Sequence, residues 1–520
     1  MNFENISNEN SYKENTISKT NIKIATLINN KTFYSIYNPQ RDIDFFCSNE
    51  KIKNSGFICI AGIGNGYHLK QLSENYPDKF ILAFEINKTS LDFLSQINDF
   101  SFIKNKKILL TTLDELENKI IENYTPAIYE NFYFTNIKSW MDYHQEYFKI
   151  IEKKINNAIS IISSDFSVQS HFGKIWMHNI LENTNYLIKN KFHKNFEIDN
   201  NKTALVIGAG PSLEESIKFL KENNDNIFII STDTSYPTLL KHKIIPQVVV
   251  SIDAQIFSRE HFIGINKEII KNTIFLFDLC ANSSIVKKLK NENILFFTNG
   301  HPLCNYIEEK SNVKFLRLNS GRGTVTSVAC DFATKCNFEN IILLGTDFSF
   351  YMNKPYTKGT YLENQFLNQS NIIKNLETQY TNLMLRTQIF KNNEGNFTTK
   401  LLDEYKLYQE KIIHNSTSNF YVENKNCNPM NLQIFDSNIK TSLKTDEKKF
   451  LNQTIKKDIF EQLYSELSNV NNSNDFEKIY PILPLLAWGK NKKIDFFSII
   501  NIAKKLIHNY TIRCYEFKSH

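Results

Sequence analysis

Apolar residues in this chain fall into two kinds of run. Short continuous stretches of about five or six residues, most of them ending in glycine or an acidic residue, predict buried strands, whereas segments with apolar positions every three or four residues predict helices. The segment Gly56–Gly66 reads as a strand running into the glycine turn Gly62-Ile-Gly-Asn-Gly66, followed by a helix over 68–75 and a second strand over 80–85 that ends in Glu85. From 139 to about 191 the pattern is helical, with few breakers. A second strand series starts at Thr203 and runs through 227–231, 247–252, 273–278, 294–298 and 341–347, with a helix over 323–335. Beyond about Tyr361 the chain reads as helical and Lys-rich, broken by an Asn-rich loop over 416–431 and ending in a small helical bundle over 450–520 centred on 480–488.

Strands alternating with helices predict an α/β protein. The expected architecture is a central doubly wound parallel sheet, Rossmann-like, preceded by a smaller Rossmann-like α/β domain and followed by a helical C-terminal region. The expected boundaries are a disordered polar lead over 1–20, an N-terminal domain with its helical connector over 21–195, a central domain over 196–440 and a helical domain over 441–520. A length of 520 residues exceeds one ordinary core, which agrees with several domains.

Composition narrows the class. A net charge of +6 over this length is a mild bias and gives no reason to expect nucleic-acid binding. No stretch approaches eighteen apolar residues, and the first thirty carry no apolar leader core, so the expectation is a cytoplasmic protein with no membrane span. The eight cysteines form no CxxC pair and no metal-ligand spacing, which predicts reduced core thiols.

The candidate chemistry sits at strand exits, because ligands of open α/β sheets bind beyond the carboxyl ends of the strands. Gly208-Ala-Gly210-Pro211-Ser212 follows the strand at Thr203 and opens a helix, a natural phosphate seat. Asp233 with Thr234, Asp253 and Asp347 end three further strands on the same edge. Taken singly, Asp233 and Asp253 fit turn capping as well as ligand contact. Asn319-Ser320-Gly321-Arg322-Gly323-Thr324 offers a second turn of small residues before a helix. His301, just after a strand, is an eligible general base by position, although a lone histidine is more often a structural donor. The turn at 62–66 with Glu85 has the form of a dinucleotide or S-adenosylmethionine site, with no accompanying methyltransferase chemistry. Asp42-Ile-Asp44 has the acidic spacing of metal-dependent sugar-nucleotide transferases, but it lies outside the main sheet at a helix start.

Taken together in order, these features identify a resemblance. Tyr37-Asn38-Pro39, the 62–66 turn with Tyr67-His68-Leu69, Phe172-Gly173-Lys174 with Trp176 and Asn179, the 208–213 turn, Asp233-Thr234, Ser251-Ile-Asp253-Ala-Gln255, the 319–326 segment and Gly345-Thr-Asp347-Phe348 resemble the motility accessory factor family of flagellin glycosyltransferases over most of the chain. The central block is also similar to bacterial sialyltransferases that use CMP-sialic acid, through Gly210–Leu213, Ser320-Gly321 and Gly345–Phe348. Asp233 and Asp253 stand where those enzymes have asparagines.

The resemblance implies transfer of a nonulosonic acid, of pseudaminic or legionaminic type, from a CMP-activated donor to Ser or Thr hydroxyls of flagellin in support of motility. It implies a donor site of Gly208, Gly210, Pro211, Ser212, Asp233, Thr234, Asn319, Ser320, Gly321, Thr324 and Lys358, with Asp253, Asp347, Tyr356 and His301 as catalytic candidates. Tyr356 lies where the family commonly carries a histidine in a short Thr-His segment. A CMP leaving group has one phosphate, so neither a metal nor another cofactor is expected, and self-association is left open. Two rival readings are a pterin pyrophosphokinase-like enzyme, with Asp233, Asp253 and Asp347 binding magnesium, and a non-enzymatic protein that binds flagellin or assists its export.

Overall fold

The computed structural model describes residues 8–104, 107–190, 195–196, 198–222, 227–264, 271, 273–289, 293–320, 324–423, 429–435, 449–450, 455–472 and 475–515. Two compact units divide the chain, Met1–Lys174 with Val470–Asn501, and Ile175–Asn469 with Ile502–His520.

Unit one opens with an antiparallel hairpin, β1 (Tyr12–Ile17) and β2 (Lys23–Leu27). Residues 12–17 belong to the lead expected to be disordered. They are a strand because Tyr12 is buried, at 2% exposure, and its hydroxyl reaches a buried carboxylate. Then come β3 (Phe57–Ala61), β4 (Phe80–Glu85), β5 (Ile108–Thr112) and β6 (Phe132–Asn136), a parallel sheet in the order β5-β4-β3-β6. Every residue of β3 is buried, as befits the centre of a parallel sheet covered on both faces. The Phe172-Gly173-Lys174 motif has a packing explanation here. A Cβ on Gly173 would lie 1.8 Å from the Pro484 carbonyl oxygen, and the Lys174 ammonium sits 4.8 Å from the Trp488 ring centre.

In unit two, β7 (Asn195–Phe196) pairs antiparallel with Lys449–Phe450. The main sheet is built from β8 (Thr203–Ile207), β9 (Ile227–Thr232), β10 (Val248–Ser251), β11 (Ile274–Asp278), β12 (Asn293–Thr298), β13 (Leu316–Arg317) and β14 (Asn340–Leu344). A hairpin of β15 (Ile389–Lys391) and β16 (Phe397–Thr399) precedes the last two sheet strands, β17 (Asn419–Val422) and β18 (Gln433–Ile434). The nine strands run parallel in the order β13-β12-β11-β10-β9-β8-β14-β17-β18. The expected α/β class with its smaller and larger parallel sheets is therefore present. β17 lies inside the segment read as an Asn-rich loop, and Phe420, Tyr421 and Val422 are buried there.

Strand order reverses between β8 and β14, which defines the switch point where a crevice forms. The two exits touch. Gly208 N–H donates to Leu344 O and Gly210 N–H to Gly345 O, both at 2.8 Å. A Cβ on Gly208 would lie 2.4 Å from Gly345 O, and Gly345 itself has φ +60°, so glycine is required on both sides.

Six cysteines among the described residues, Cys47, Cys59, Cys280, Cys304, Cys330 and Cys336, are buried free thiols. No helix among the described residues is long and apolar enough to cross a membrane.

Candidate active site

A cavity of about 540 Å³ opens at the switch point. Its near wall comes from strand exits: Ala209 and Gly210 after β8, Thr232 and Thr234 at β9, and Gly345 to Phe350 after β14. Thr324, Val325 and Thr326 add the start of the helix Val325–Lys335. The far wall is Tyr356, Tyr361, Arg386, Thr387, Thr399 and Tyr405 with a few apolar neighbours.

The two candidate phosphate turns differ in structure. Ser212 donates its N–H to Asp347 Oδ2 at 2.9 Å and its hydroxyl to Asp347 Oδ1. The helix Leu213–Glu222 therefore begins against a protein carboxylate, which complements its positive end. Gly208, Gly210 and Leu213 spend their N–H groups on backbone carbonyls, and Pro211 has none. Helix Val325–Lys335 is capped instead by a neutral hydroxyl, with Thr324 Oγ1 accepting the Ser327 N–H at 3.1 Å. Its positive end faces the cavity, and among the described residues no protein anion stands in the cap, the arrangement that suits a phosphate. Gly321, Arg322 and Gly323 lie outside the described residues.

The acidic exits are placed as follows. Asp233, 1% exposed, accepts from Ser251 Oγ at 2.6 Å and from Thr234 Oγ1 at 3.1 Å, so it stands behind the Thr234 wall. Asp253 accepts the Gln255 N–H at 2.9 Å. Its carboxyl is raised above the ordinary value, first by burial and then by the charge of Asp233, against the Gln255 hydrogen bond and His261. Tyr361 stacks edge-on against His261 at 4.4 Å, and its phenol is raised by burial and then by Asp253 and Asp233. Although 39% of Tyr356 is exposed, its phenol is raised by desolvation, then by Tyr361, Tyr405 and Asp233. Tyr405 is raised by burial and Glu404. The three phenols are therefore hydrogen-bond donors at neutral pH rather than bases.

Other candidates lie elsewhere. His301 does not line the cavity. It caps helix Pro302–Ser311, its Nδ1 accepting the Leu303 N–H at 3.1 Å, and burial lowers it to about 3. Lys358 is exposed and lies 4.0 Å from Glu214, which also pairs with Lys354. Asn319 accepts from Tyr408 OH at 2.6 Å, and Ser320 O accepts the Thr324 N–H. Neither Asn319 nor Ser320 lines the cavity.

Sequence reasoning missed Arg386, the cation in the wall among the described residues, and Ser349, a buried wall hydroxyl with no hydrogen-bond partner among them. A signal for the first existed, because the chain has only six arginines against a Lys-rich background.

In unit one the 62–66 turn is closed by the protein itself. Glu85 accepts from Tyr12 OH at 2.8 Å, Ile63 N–H at 2.7 Å, Gly64 N–H at 3.4 Å and Trp140 Nε1 at 2.7 Å. A Cβ on Gly64 would lie 2.6 Å from the Phe33 ring. A cavity of about 1140 Å³ in this unit, beside Phe45, Arg41 and Lys138, is lined by none of residues 62–66.

This geometry sets the frame for comparison with known proteins. Over 98% of its length the chain is similar to the structure of MAf glycosyltransferase from Magnetospirillum magneticum AMB-1, with a TM-score of 0.54, 11% identity and 94% of that chain covered. At that identity the likeness is one of fold, and it matches the resemblance drawn from the sequence. Residues 174–353 match the family described as "MptE-like: 6-hydroxymethylpterin diphosphokinase MptE-like". Three uncharacterized proteins of Treponema pallidum (strain Nichols) are also similar. One is 39% identical over 142 residues, 26% of this chain and 50% of that protein. A second is 32% identical over 181 residues, 33% and 83% respectively, and a third 23% over 347 residues, 65% and 59%. The chain thus spans about half the length of the first of them. It belongs to the same family as the second, most of whose length it covers.

Proposed function

We propose that the chain is a glycosyltransferase that moves a nonulosonic acid, of pseudaminic or legionaminic type, from its CMP-activated form to Ser or Thr hydroxyls of flagellin. The observation that carries this reading is the composition of the switch-point cavity. A helix start with a neutral cap suits one phosphate, Arg386 suits one carboxylate, and Ser349 and the three phenols suit a polyhydroxylated sugar. The likeness of fold to a MAf glycosyltransferase supports it.

Transfer at the anomeric carbon passes through an oxocarbenium-like transition state, so the site needs to stabilise a departing phosphate and accept a proton from the incoming hydroxyl. The helix start at Thr324 stabilises the phosphate. Asp253, raised by burial and placed at the exit of β10 beyond the residues that line the cavity, is the candidate to receive the proton of the incoming hydroxyl. Tyr356 donates a hydrogen bond to the donor, and Asp347 shapes the turn under it.

Calorimetry with CMP and a CMP-nonulosonate tests the donor. Binding of both is expected, and silence toward both with a response to UDP-sugars or ATP would overturn the assignment. The mass of flagellin from cells with and without this protein tests the transfer.

A second reading is favoured by the family match over 174–353, on which Asp233, Asp253 and Asp347 would hold magnesium under ATP for pyrophosphate transfer to a hydroxymethylpterin. Magnesium-dependent AMP release with that substrate would select it.

A further inference from the structure

Three buried side chains of unit two meet at the exits of β11 and β12. Cys280 lies two residues past β11, while His301 and Cys304 occupy the cap and first turn of helix Pro302–Ser311. One atom from each, two sulfurs and a ring nitrogen, lie within 4.8 Å of one another. Their exposures are 3%, 8% and 0%, and none lines the switch-point cavity. The Nε2 of His301 has no hydrogen-bond partner among the described residues, where a buried polar nitrogen ordinarily has one.

We propose that Cys280, His301 and Cys304 bind zinc or a similar thiophilic divalent cation. Two thiolates and a neutral imidazole around a divalent ion sum to zero charge, the condition a buried site requires. Loading forms two metal–sulfur bonds and one metal–nitrogen bond and releases two thiol protons to solvent, with no change of oxidation state. The carboxylate of Asp278 is hydrogen-bonded to the Cys280 side chain behind the site, and a water would complete four-coordination without changing the charge.

The histidine changes partner on loading. Its Nδ1 accepts the Leu303 N–H, which leaves the ring proton on Nε2 in the unloaded chain. Ligation through Nδ1 takes the lone pair that serves Leu303, and ligation through Nε2 moves the proton to Nδ1. Either route exchanges a helix cap for a metal bond, and a cap is worth far less than a structural zinc site.

The backbone around the sulfur is already fixed. Cys280 N–H donates to Asp278 Oδ1 at 2.8 Å, and Asn179 Nδ2 donates to Cys280 O at 3.0 Å. Asn183 Nδ2 holds Leu279 O and Ala281 O, each at 3.0 Å. Trp176 packs edge-on against the His301 ring at 5.8 Å. Such outer contacts orient metal ligands. The spacing escaped sequence reading because the ligands come from two strand exits rather than one local motif.

The test uses the full-length chain purified without chelator. Elemental analysis is expected to find about one zinc per chain, and cobalt titration of the stripped protein to give the intense visible bands of tetrahedral thiolate coordination. The Cys280→Ser and His301→Gln variants are expected to lose at least about ten-fold in cobalt affinity. Should these variants fail to fold, the cobalt spectrum of the unsubstituted chain decides alone. Absence of both zinc and a cobalt spectrum overturns the proposal, as does a disulfide between Cys280 and Cys304 in the purified protein.

Discussion

Asp347 fills the N-terminus of the helix that follows β8, taking both the N–H and the hydroxyl of Ser212. A turn whose sequence suits phosphate is thus satisfied internally, by a carboxylate from the strand across the switch point. The contact also explains Gly210, where a Cβ would lie 2.6 to 2.8 Å from the Asp347 carboxylate. Asp347 thus both lines the cavity and supports the turn beneath it, and on the proposed reading the second turn at Thr324 is the seat for an anion.

Removing this support should be felt as stability before it is felt as chemistry. Asp347→Ala leaves a buried N–H and hydroxyl without a partner and is expected to lower stability by about 2–4 kcal/mol, with Asp347→Asn nearer 1–2 kcal/mol. Gly208→Ala should cost about 3 kcal/mol, because the clash is with the backbone oxygen of Gly345 rather than a movable side chain. Urea unfolding measures all three. A loss below about 0.5 kcal/mol for Asp347→Ala would remove the supporting role.

Asp253 predicts a pH dependence of known sign. Its folded value lies above the ordinary 3.8, chiefly through burial and then through Asp233, so the folded chain holds this proton more tightly than the unfolded chain does. The stabilising contribution is fully present below the unfolded value and is lost as pH rises through the folded one. Asp253→Asn, which mimics the protonated acid, should therefore match the parent in acid and gain on it toward neutrality. Unfolding curves between about pH 4 and pH 7 check this, and a gain that grows toward acid would contradict it.

Much of the fold could be read from the sequence because buried parallel strands are short apolar runs with abrupt ends. β8 through β12 and β14 have that form, and their exits place Gly210, Thr234 and Asp347 in the cavity wall. The hydrophobic pattern hid β17 because only Phe420, Tyr421 and Val422 are apolar among asparagines and serines, although the family resemblance places a glycine-rich strand near 416–424, and its strand state is supplied by pairing with β14. The far wall escaped for a related reason. The chain beyond Tyr361 reads as helical, whereas Arg386 follows the helix Leu376–Met384, the hairpin β15–β16 comes next and Tyr405 lies in the helix Lys400–His414, so neither side chain had a visible destination. His301, eligible as a base by its position after a strand, is turned by the folded chain toward two cysteines and does not line the cavity.

Glu85 makes the N-terminal turn a structural device. Four donors converge on it, and burial raises its carboxyl despite them. S-adenosylmethionine and dinucleotides are expected to give no thermal shift through unit one. Glu85→Ala should destabilise by about 3–5 kcal/mol and Glu85→Gln by about 1 kcal/mol, as for a buried polar network broken or merely neutralised. A cofactor that protects the chain and competes with Tyr12 for the turn would reverse this view.

The sharpest test of the cavity separates two of its far-wall residues. Arg386 is exposed at the wall, so Arg386→Gln should leave stability within about 0.5 kcal/mol of the parent. If it meets a donor carboxylate, the variant should bind a CMP-nonulosonate about ten-fold more weakly or worse while CMP itself binds as before, because CMP lacks that group. Tyr356→Phe removes a phenol held protonated by its surroundings, so it should lower kcat by about 10- to 100-fold with little change in KM if the hydroxyl acts in the transition state. Equal weakening of CMP and donor by Arg386→Gln would move the arginine to the phosphate. Loss of KM alone in Tyr356→Phe would make the tyrosine a ground-state contact and leave Asp253 to carry the chemistry.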